Sequence, residues 1–284
     1  MSPQLILQLE MILVLACVGA ACAVPGVFLV LRRVALVADA ISHVLLFGIV
    51  LAYFVTKDLA SPWLFFGATA SGVLTVALVE LLRRSGRVAE DAAIGLVFPA
   101  LFAAGTLLAS LYLRGTHLDV DSVLLGFAEW SPYDRIESLD LPRSAVILLG
   151  LFALELALVV AFFKELKLAT FDAALASTFG FAPMLLHYGL MTMTSLTAVA
   201  AFDAVGPVVV VALLVVPAAT AFLLTNDLAA MIALSIGFGV SGGVLGTLAA
   251  LALDTNIAGT VATTVGLQFA AVFAGVTGFG KSAR

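Results

Sequence analysis

The sequence predicts an all-α, polytopic membrane protein, and three observations lead to that fold class. Hydrophobic residues make up 63% of the 284 residues and charged residues only 11%. The mean hydropathy is +1.21, and apolar runs of bilayer-spanning length recur along the chain. A soluble domain of this size could not cover its surface with so few charges. We therefore expect a single transmembrane domain over residues 1–284.

Nine apolar runs are long enough to cross a bilayer, which takes about 20 residues as a helix. They lie at about 7–31, 36–56, 62–82, 91–113, 144–163, 187–203, 205–224, 229–253 and 258–279. The sequence AFDAVGP at 201–207 either turns the chain between two spans or interrupts one long tilted helix. Both eight and nine spans are compatible with this pattern.

The basic residues predict an external N-terminus. In that orientation nine Lys and Arg residues lie inside and four lie outside, as the positive-inside rule requires. The inside set is Arg32, Arg33, Arg83, Arg84, Arg87, Lys164, Lys167, Lys281 and Arg284, and the outside set is Lys57, Arg114, Arg135 and Arg143. No basic stripe exists apart from these membrane flanks, so we expect no nucleic-acid partner.

The predicted external loop, at about 114–143, carries a candidate entry site for a cation. His117, Asp119 and Asp121 alternate along it, so their side chains would share one side of an extended chain. A solvated loop face is the alternative interpretation of the same three residues.

The predicted cytoplasmic loop, at about 164–186, contains a candidate docking element. Residues 172–178 are expected to form a short amphipathic helix, which Gly180 ends and Pro183 bounds. A helix of this size could lie on the cytoplasmic face of the membrane.

Asp39 and His43 form the candidate ion site. They are four residues apart within an apolar run, so a helix places both side chains on one face. If Arg32 and Arg33 mark the membrane surface, the helical rise places His43 roughly 15 Å deep. Ionisable groups at this depth are costly unless they pair, face a water-filled path or bind an ion. Oxygen and nitrogen donors suit manganese, iron or zinc. Spacing alone leaves a simple helix-packing pair equally open.

Other acidic residues in the apolar runs have weaker claims to a role in the path. Asp203, beside Gly206 and Pro207, is the best candidate for a third acid of the site. We expect Glu10, Glu80 and Glu155 to pair with neighbours or to reach the membrane surface.

Catalytic motifs are matched only by accident. The stretch GVTGFGKS at 275–282 fits a phosphate-loop pattern, but it follows an apolar helix where the motif requires a strand. The stretch GVSG at 239–242 resembles the serine motif of intramembrane proteases, yet all three histidines precede it, and a HExxH zinc motif is absent. We therefore expect a non-enzymatic chain that obtains energy from an ion gradient or from a partner.

Five segments occur in a recognisable order along nearly the whole chain: LRRVALVADAISHVLLFGIVLAYF, EDAAIGLVFPALFAAG, THLDVDSVLLG, KELKLATFDAALASTFG and AVGPVVVVALLVVPAATAFLLT. Together they resemble the permease subunits of bacterial ABC importers for manganese, zinc and iron. KEL before the cytoplasmic loop, with HLDVD, is more similar to the manganese and iron branch. Phe47 departs from a proline found in many relatives, which puts the helix shape just after His43 in question.

The resemblance implies a type II importer permease in the bacterial inner membrane. Two permease copies would form the path, cytoplasmic ATP-binding cassette subunits would hydrolyse ATP, and an extracytoplasmic metal-binding protein would deliver Mn²⁺, Zn²⁺ or Fe²⁺ as cargo, with no permanently bound cofactor. The family's metal pair falls on Asp39 and His43. Its coupling segment falls on 171–183, with Phe171, Asp172, Ala176 and Gly180 expected to serve the contact with the ATPase.

Two other transport functions remain open at this stage. An ion-coupled secondary transporter could use the same buried pair without an ATPase partner. A permease for siderophores or cobalamin would need a wide apolar path and no metal-ligating side chains.

Overall fold

Helices account for nearly all of the chain that the structure, a computed structural model, describes: residues 3–58, 61–112, 134–136 and 141–282. The helices in chain order are α1 (Pro3–Leu31), α2 (Leu36–Thr56), α3 (Trp63–Arg84), α4 (Glu90–Tyr112), α5 (Arg143–Ala161), α6 (Phe163–Phe171), α7 (Ala173–Thr178), α8 (Pro183–Val205), α9 (Pro207–Leu224), α10 (Leu228–Leu253) and α11 (Ile257–Ser282). Two short strands, β1 (Arg135–Ile136) and β2 (Leu141–Pro142), form an antiparallel ribbon before α5.

Nine of these helices, within the described ranges, are long and apolar enough to cross a membrane, which confirms the predicted all-α class and favours nine candidate spans over eight. The uncertain stretch at 201–207 contains the break between two helices, which falls at Gly206. Gly206 adopts a positive φ of 80°, and Pro207 is the first residue of α9. A residue with a Cβ would be strained at this φ, and proline at a first helical position loses no hydrogen bond.

Helix α1 is the central helix of the bundle. It contacts α5, α8, α9 and α10, and it is the most buried of the spans. It packs tightly on α10, where a Cβ on Gly19 or on Gly239 would collide with the backbone of the other residue. Lipid-embedded helices approach closely where side chains are small, and these two glycines allow that approach.

Helix α2 lies against α3, α4, α8 and α9. A Cβ on Gly48 of α2 would overlap the carbonyl of Gly67 in α3, and the Ser71 hydroxyl donates to the Val44 carbonyl at 3.2 Å. Residues Ala38, Ile41 and Leu45 are buried against this packing side. These contacts fix the rotation of α2 about its own axis.

The β1–β2 ribbon is tied to α1 across 125 residues of sequence. Arg135 donates to both carboxylate oxygens of Glu10 at 2.7 Å. Paired contacts of this kind fix the orientation of the two side chains as well as their separation. The predicted pairing of Glu10 is thus observed, although the partner lies far away in sequence.

Candidate functional site

The candidate ion site is formed by Asp39 and His43 on one face of α2. Asp39 Oδ1 and His43 Nε2 are 3.5 Å apart, and the two side chains remain 45% and 37% exposed. A separation of this size is at the outer limit of a hydrogen bond. The pair is therefore held close, yet its donor atoms are not consumed by a tight hydrogen bond to each other.

The depth of the site differs from the sequence-based value because the chain between Arg32 and Leu36 is a turn and not a helix. Since α2 begins at Leu36, the helical rise places His43 roughly 10 Å along the axis from the first residue of the helix. Asp39 lies in the first turn of α2, where the helix dipole stabilises a negative charge.

Two aromatic rings of α4 hold the imidazole. The ring of His43 stacks on Phe98 with centroids 5.9 Å apart and meets the edge of Phe102 at 5.8 Å. These contacts limit rotation of the His43 side chain. Neither phenylalanine was singled out from the sequence; the signal was their spacing of four residues, which places both on one face of α4.

The described residues bring two potential metal ligands together at this site. Within the described part of the chain, no three His, Cys, Asp or Glu residues cluster closely enough to hold a metal ion. Asp203 is not brought to Asp39 and His43. It lies in the last turn of α8, near Asp134 and Arg143, at the opposite end of the bundle from the start of α2. A role for Asp203 in the path stays a prediction.

The proposed external entry residues His117, Asp119 and Asp121 lie outside the described residues, which stop at 112 and resume at 134.

Two other acids in the spans accept hydrogen bonds from side chains. Glu80 binds Arg83 and Arg84, each through a contact of 2.9 Å. Glu155 is buried, and its Oε1 accepts a hydrogen bond from the hydroxyl of Thr197 in α8. The pairing expected of Glu80 is observed, and Glu155 links α5 to α8.

The cytoplasmic segment folds as the sequence predicts, with one change in the residues that face outward. Asp172 is the N-cap of α7, and its Oδ1 accepts from the Leu175 amide at 2.8 Å; Gly180 follows the helix with a φ of 83°. Phe171 is 61% exposed, whereas Ala176 is fully buried and faces the bundle. Ala176 therefore packs on the inner side of the segment, away from the surface that could contact an ATPase.

Three large apolar side chains make up the outward face of this segment. Phe171, Leu175 and Phe179 are all exposed, the last at 67%. Leu175 and Phe179 were not identified from the sequence, although their spacing of four residues is typical of one helix face. Phe171 ends α6, and the extended Asp172 separates it from α7. We call these three residues the apolar face of the cytoplasmic segment.

Residues 5–276 match the ABC 3 transport family. The chain is 46% identical over 269 residues to the zinc transport system membrane protein TroD of Treponema pallidum, covering 94% of this chain and 73% of that protein. It is 43% identical over 259 residues to the manganese transport system membrane protein MntD of Bacillus subtilis, covering 90% of this chain and 88% of that protein.

Solved structures show the same fold. PsaBC from Streptococcus pneumoniae, in complex with Fab, is similar with a TM-score of 0.77 and 29% identity, covering 93% of this chain and 90% of that chain. An inward-facing ABC transporter described as metal-chelate type is similar with a TM-score of 0.66 at 20% identity, covering 95% and 85%. The second likeness shows the fold alone, that of a type II ABC importer.

The family match covers almost the whole chain, and the two relatives named above are membrane proteins of bacterial transport systems. The chain therefore belongs to the ABC 3 transport family and is a non-catalytic membrane permease of an ABC transport system.

Proposed function

We propose that the chain is the permease subunit of an ATP-driven importer for divalent transition-metal ions and that Asp39 and His43 bind the ion within the path. Manganese is the favoured cargo, with zinc and iron as the alternatives. In support, relatives carry manganese or zinc in their names. The similarity of KEL and HLDVD to the manganese and iron branch points the same way.

The observation that carries this proposal is the geometry of the Asp39–His43 pair. Two ligands that each lie about 2.0–2.2 Å from one metal ion are roughly 3.0–3.5 Å from each other, depending on the coordination geometry. Asp39 Oδ1 and His43 Nε2 are 3.5 Å apart and partly exposed. The pair can thus receive an ion with little movement of either side chain.

A second permease copy would complete the coordination. Transition metals take four or more ligands, and a single copy supplies two in the described part of the chain. In a symmetric pair of permeases, the exposed faces of both α2 helices could meet at the axis, and each would contribute one aspartate and one histidine. The path would then lie between the copies.

Energy would enter through the cytoplasmic segment. The apolar face formed by Phe171, Leu175 and Phe179 fits a hydrophobic groove of a cytoplasmic ATPase. ATP binding and hydrolysis there would rock the two copies, so that the ion pair opens to one side of the membrane at a time. An extracytoplasmic binding protein would deliver the ion. Protons would compete with the metal, since a ligand histidine must be neutral and a ligand aspartate ionised.

The test is metal uptake into proteoliposomes that contain the permease, its ATPase and its binding protein. Uptake of manganese, zinc and iron would be compared with and without ATP for the wild type, Asp39→Asn and His43→Ala. We expect ATP-dependent uptake that both substitutions abolish. Asp254→Asn, an exposed change at the end of α10, is the matched control and should transport normally.

Two results would contradict the proposal. Uptake by His43→Ala at the wild-type rate would show that His43 is not required to bind the ion. Uptake that ignores ATP and follows a proton gradient would favour an ion-coupled secondary transporter, an alternative that membership of an ABC family already weakens.

A further inference from the structure

A cavity of about 460 Å³ lies where the end of α1, the end of α3, the start of α8 and the junction of α6 and α7 meet. In the proposed orientation this is the cytoplasmic side of the membrane. Four arginines line the cavity: Arg32, Arg33, Arg83 and Arg84. Of the described residues that line it, Glu80 is the single carboxylate. The Asp39–His43 pair is not part of its wall.

The charges around the cavity do not balance. Glu80 is engaged by Arg83 through Oε2 and by Arg84 through Oε1, both at 2.9 Å. One carboxylate thus faces four guanidinium groups, and the remaining polar groups of the wall are neutral. Concentrated positive charge in a partly enclosed space attracts an anion.

Arg32 has only neutral partners. Its Nη1 lies 3.1 Å from His187 Nδ1, and its Nε and Nη2 donate to the Thr170 hydroxyl at 3.4 and 3.3 Å. In the part of the chain that the structure covers, no carboxylate lies within ion-pair distance of Arg32. Burial lowers the pKa of Arg32, but a guanidinium stays charged in proteins. A half-buried cation of this kind is stabilised when an anion joins it.

Arg33 occupies a strained backbone position beside the cavity. Its φ is 61°, and the bonds from the Val34 amide to the Leu29 carbonyl and from the Arg33 amide to the Val30 carbonyl form a Schellman motif. Glycine is the usual residue at this position because a Cβ costs energy in the left-handed region. Arginine at this position makes the end of α1 less stable than glycine would, and it adds a fourth positive charge to the cavity.

We infer that this cavity is a binding site for a phosphate group, with an anionic phospholipid of the cytoplasmic leaflet as the favoured source and free phosphate as the alternative. Arginine forks match phosphate oxygens, and basic pockets between transmembrane helices on this side suit anionic headgroups. Val34, Val37, Val76 and Val79 also line the cavity, so an apolar surface is available to the glycerol and acyl portion of a lipid.

The position of the cavity would connect its occupant to transport. Thr170 is the last residue but one of α6 and lies directly before the cytoplasmic segment proposed to meet the ATPase. A phosphate that engages Arg32 would compete with Thr170 and His187 for the same guanidinium. This consequence rests on the proposed function, whereas the binding site itself does not depend on metal transport.

The test measures lipid binding to the purified, delipidated permease–ATPase complex by native mass spectrometry. Phosphatidylglycerol and phosphatidylcholine would be titrated separately, each with and without millimolar inorganic phosphate. We expect phosphatidylglycerol to bind preferentially and Arg32→Gln to weaken it about fivefold, the effect of roughly one arginine charge near a headgroup. Arg87→Gln, which removes a cytoplasmic arginine that does not line the cavity, is the matched control and should bind as the wild type does.

Further variants keep the test decisive. Arg33→Gln changes an exposed side chain and should also weaken phosphatidylglycerol binding. It provides the test if Arg32→Gln does not fold. His43→Ala should bind lipid normally while it loses uptake, so the two proposals can fail separately. Displacement of lipid by inorganic phosphate would assign the phosphate site to a free anion. Equal binding of both lipids, or undiminished phosphatidylglycerol binding in Arg32→Gln and Arg33→Gln, would overturn the inference.

Discussion

At the scale of single residues, some polar side chains of α2 form hydrogen bonds within the helix and others do not. The buried Ser42 hydroxyl donates to the Ala38 carbonyl one turn earlier at 2.9 Å and needs no outside partner. Asp39 and His43 are partly exposed and contact each other only at 3.5 Å. Ionisable groups in a membrane span are costly unless they pair, face water or bind an ion, so this contrast supports the role proposed for the pair.

Phe98 should position the His43 ring without binding metal itself. Replacing Phe98 with alanine removes a stacked contact and lets the imidazole rotate, so we expect the apparent affinity for the transported metal to fall about tenfold, a typical effect for a group that orients a ligand. The measurement is the KM for uptake, with Phe98→Tyr as the conservative control that keeps a ring. An unchanged KM in Phe98→Ala would show that the ring does not orient His43.

Arg33→Gly should separate backbone strain from charge. Glycine removes the penalty of the positive φ at this position, and we expect the free energy of unfolding to rise by about 1 kcal/mol. The same change should weaken phosphatidylglycerol binding because a cavity charge is lost. Thermal melts in detergent check the first effect, with Arg33→Gln as the variant that loses the charge but keeps the strain. A fall in the melting temperature of Arg33→Gly would contradict this explanation.

At the scale of elements, the helices are held together by small residues and a few side-chain contacts between neighbours. Gly19 faces Gly239, and the Ser235 hydroxyl of α10 donates to the Ala23 carbonyl of α1 at 3.2 Å. On the other side of the bundle, the Ser195 hydroxyl donates to the Thr69 carbonyl at 3.0 Å. Close packing of this kind takes the place of the hydrophobic effect, which does not drive association between helices in lipid.

Gly239→Ala should destabilise the α1–α10 contact. The added methyl group would overlap the Gly19 backbone, and overpacking of this kind typically costs 1–3 kcal/mol. Gly237→Ala, two residues earlier on the same helix, is the matched control because its Cβ would meet no atom within 4 Å. The melting temperature of the purified permease should fall for Gly239→Ala alone. Equal melting temperatures for Gly239→Ala and Gly237→Ala would show that the α1–α10 contact accommodates the added methyl group without loss of stability.

Phe179→Ala should weaken attachment of the ATPase. It removes an exposed ring from the apolar face of the cytoplasmic segment, and a central aromatic anchor commonly contributes 2 kcal/mol or more to an interface. We expect less ATPase to co-purify, with an unchanged melting temperature of the permease alone. Phe222→Ala, which removes an exposed ring from α9, should leave co-purification intact. Full ATPase recovery with Phe179→Ala would exclude this face as the contact.

At the scale of the whole molecule, the described residues of one copy bring two potential metal ligands together on α2. The pair on α2 and the absence of a third His, Cys, Asp or Glu near it, within the described residues, both favour a path that two copies share. The Glu10–Arg135 contact and the Glu155–Thr197 contact each hold distant parts of the bundle together, so a copy can move as a unit around the shared site.

A mixed pair of permeases tests the shared site. Complexes that contain one wild-type copy and one His43→Ala copy can be isolated with two different affinity tags. If the copies hold the ion together, we expect uptake to fall well below half of the wild-type rate, since half of the histidine ligands are missing. A rate of one half would mean that each copy carries its own independent path, and a pair with one Asp254→Asn copy is the control.

The sequence by itself determined the membrane class, the positions of the spans and the Asp39–His43 pair, because hydrophobic run length and i, i+4 spacing are local properties. It also located the cytoplasmic segment from its amphipathic pattern, Gly180 and Pro183. Only the tertiary structure showed that Ala176 faces inward, that Glu10 meets Arg135 and that Arg32 lies between Thr170 and His187. The Glu10 and Arg32 contacts join residues more than 100 positions apart, and a local pattern carries no information about which helix faces meet once the bundle has packed.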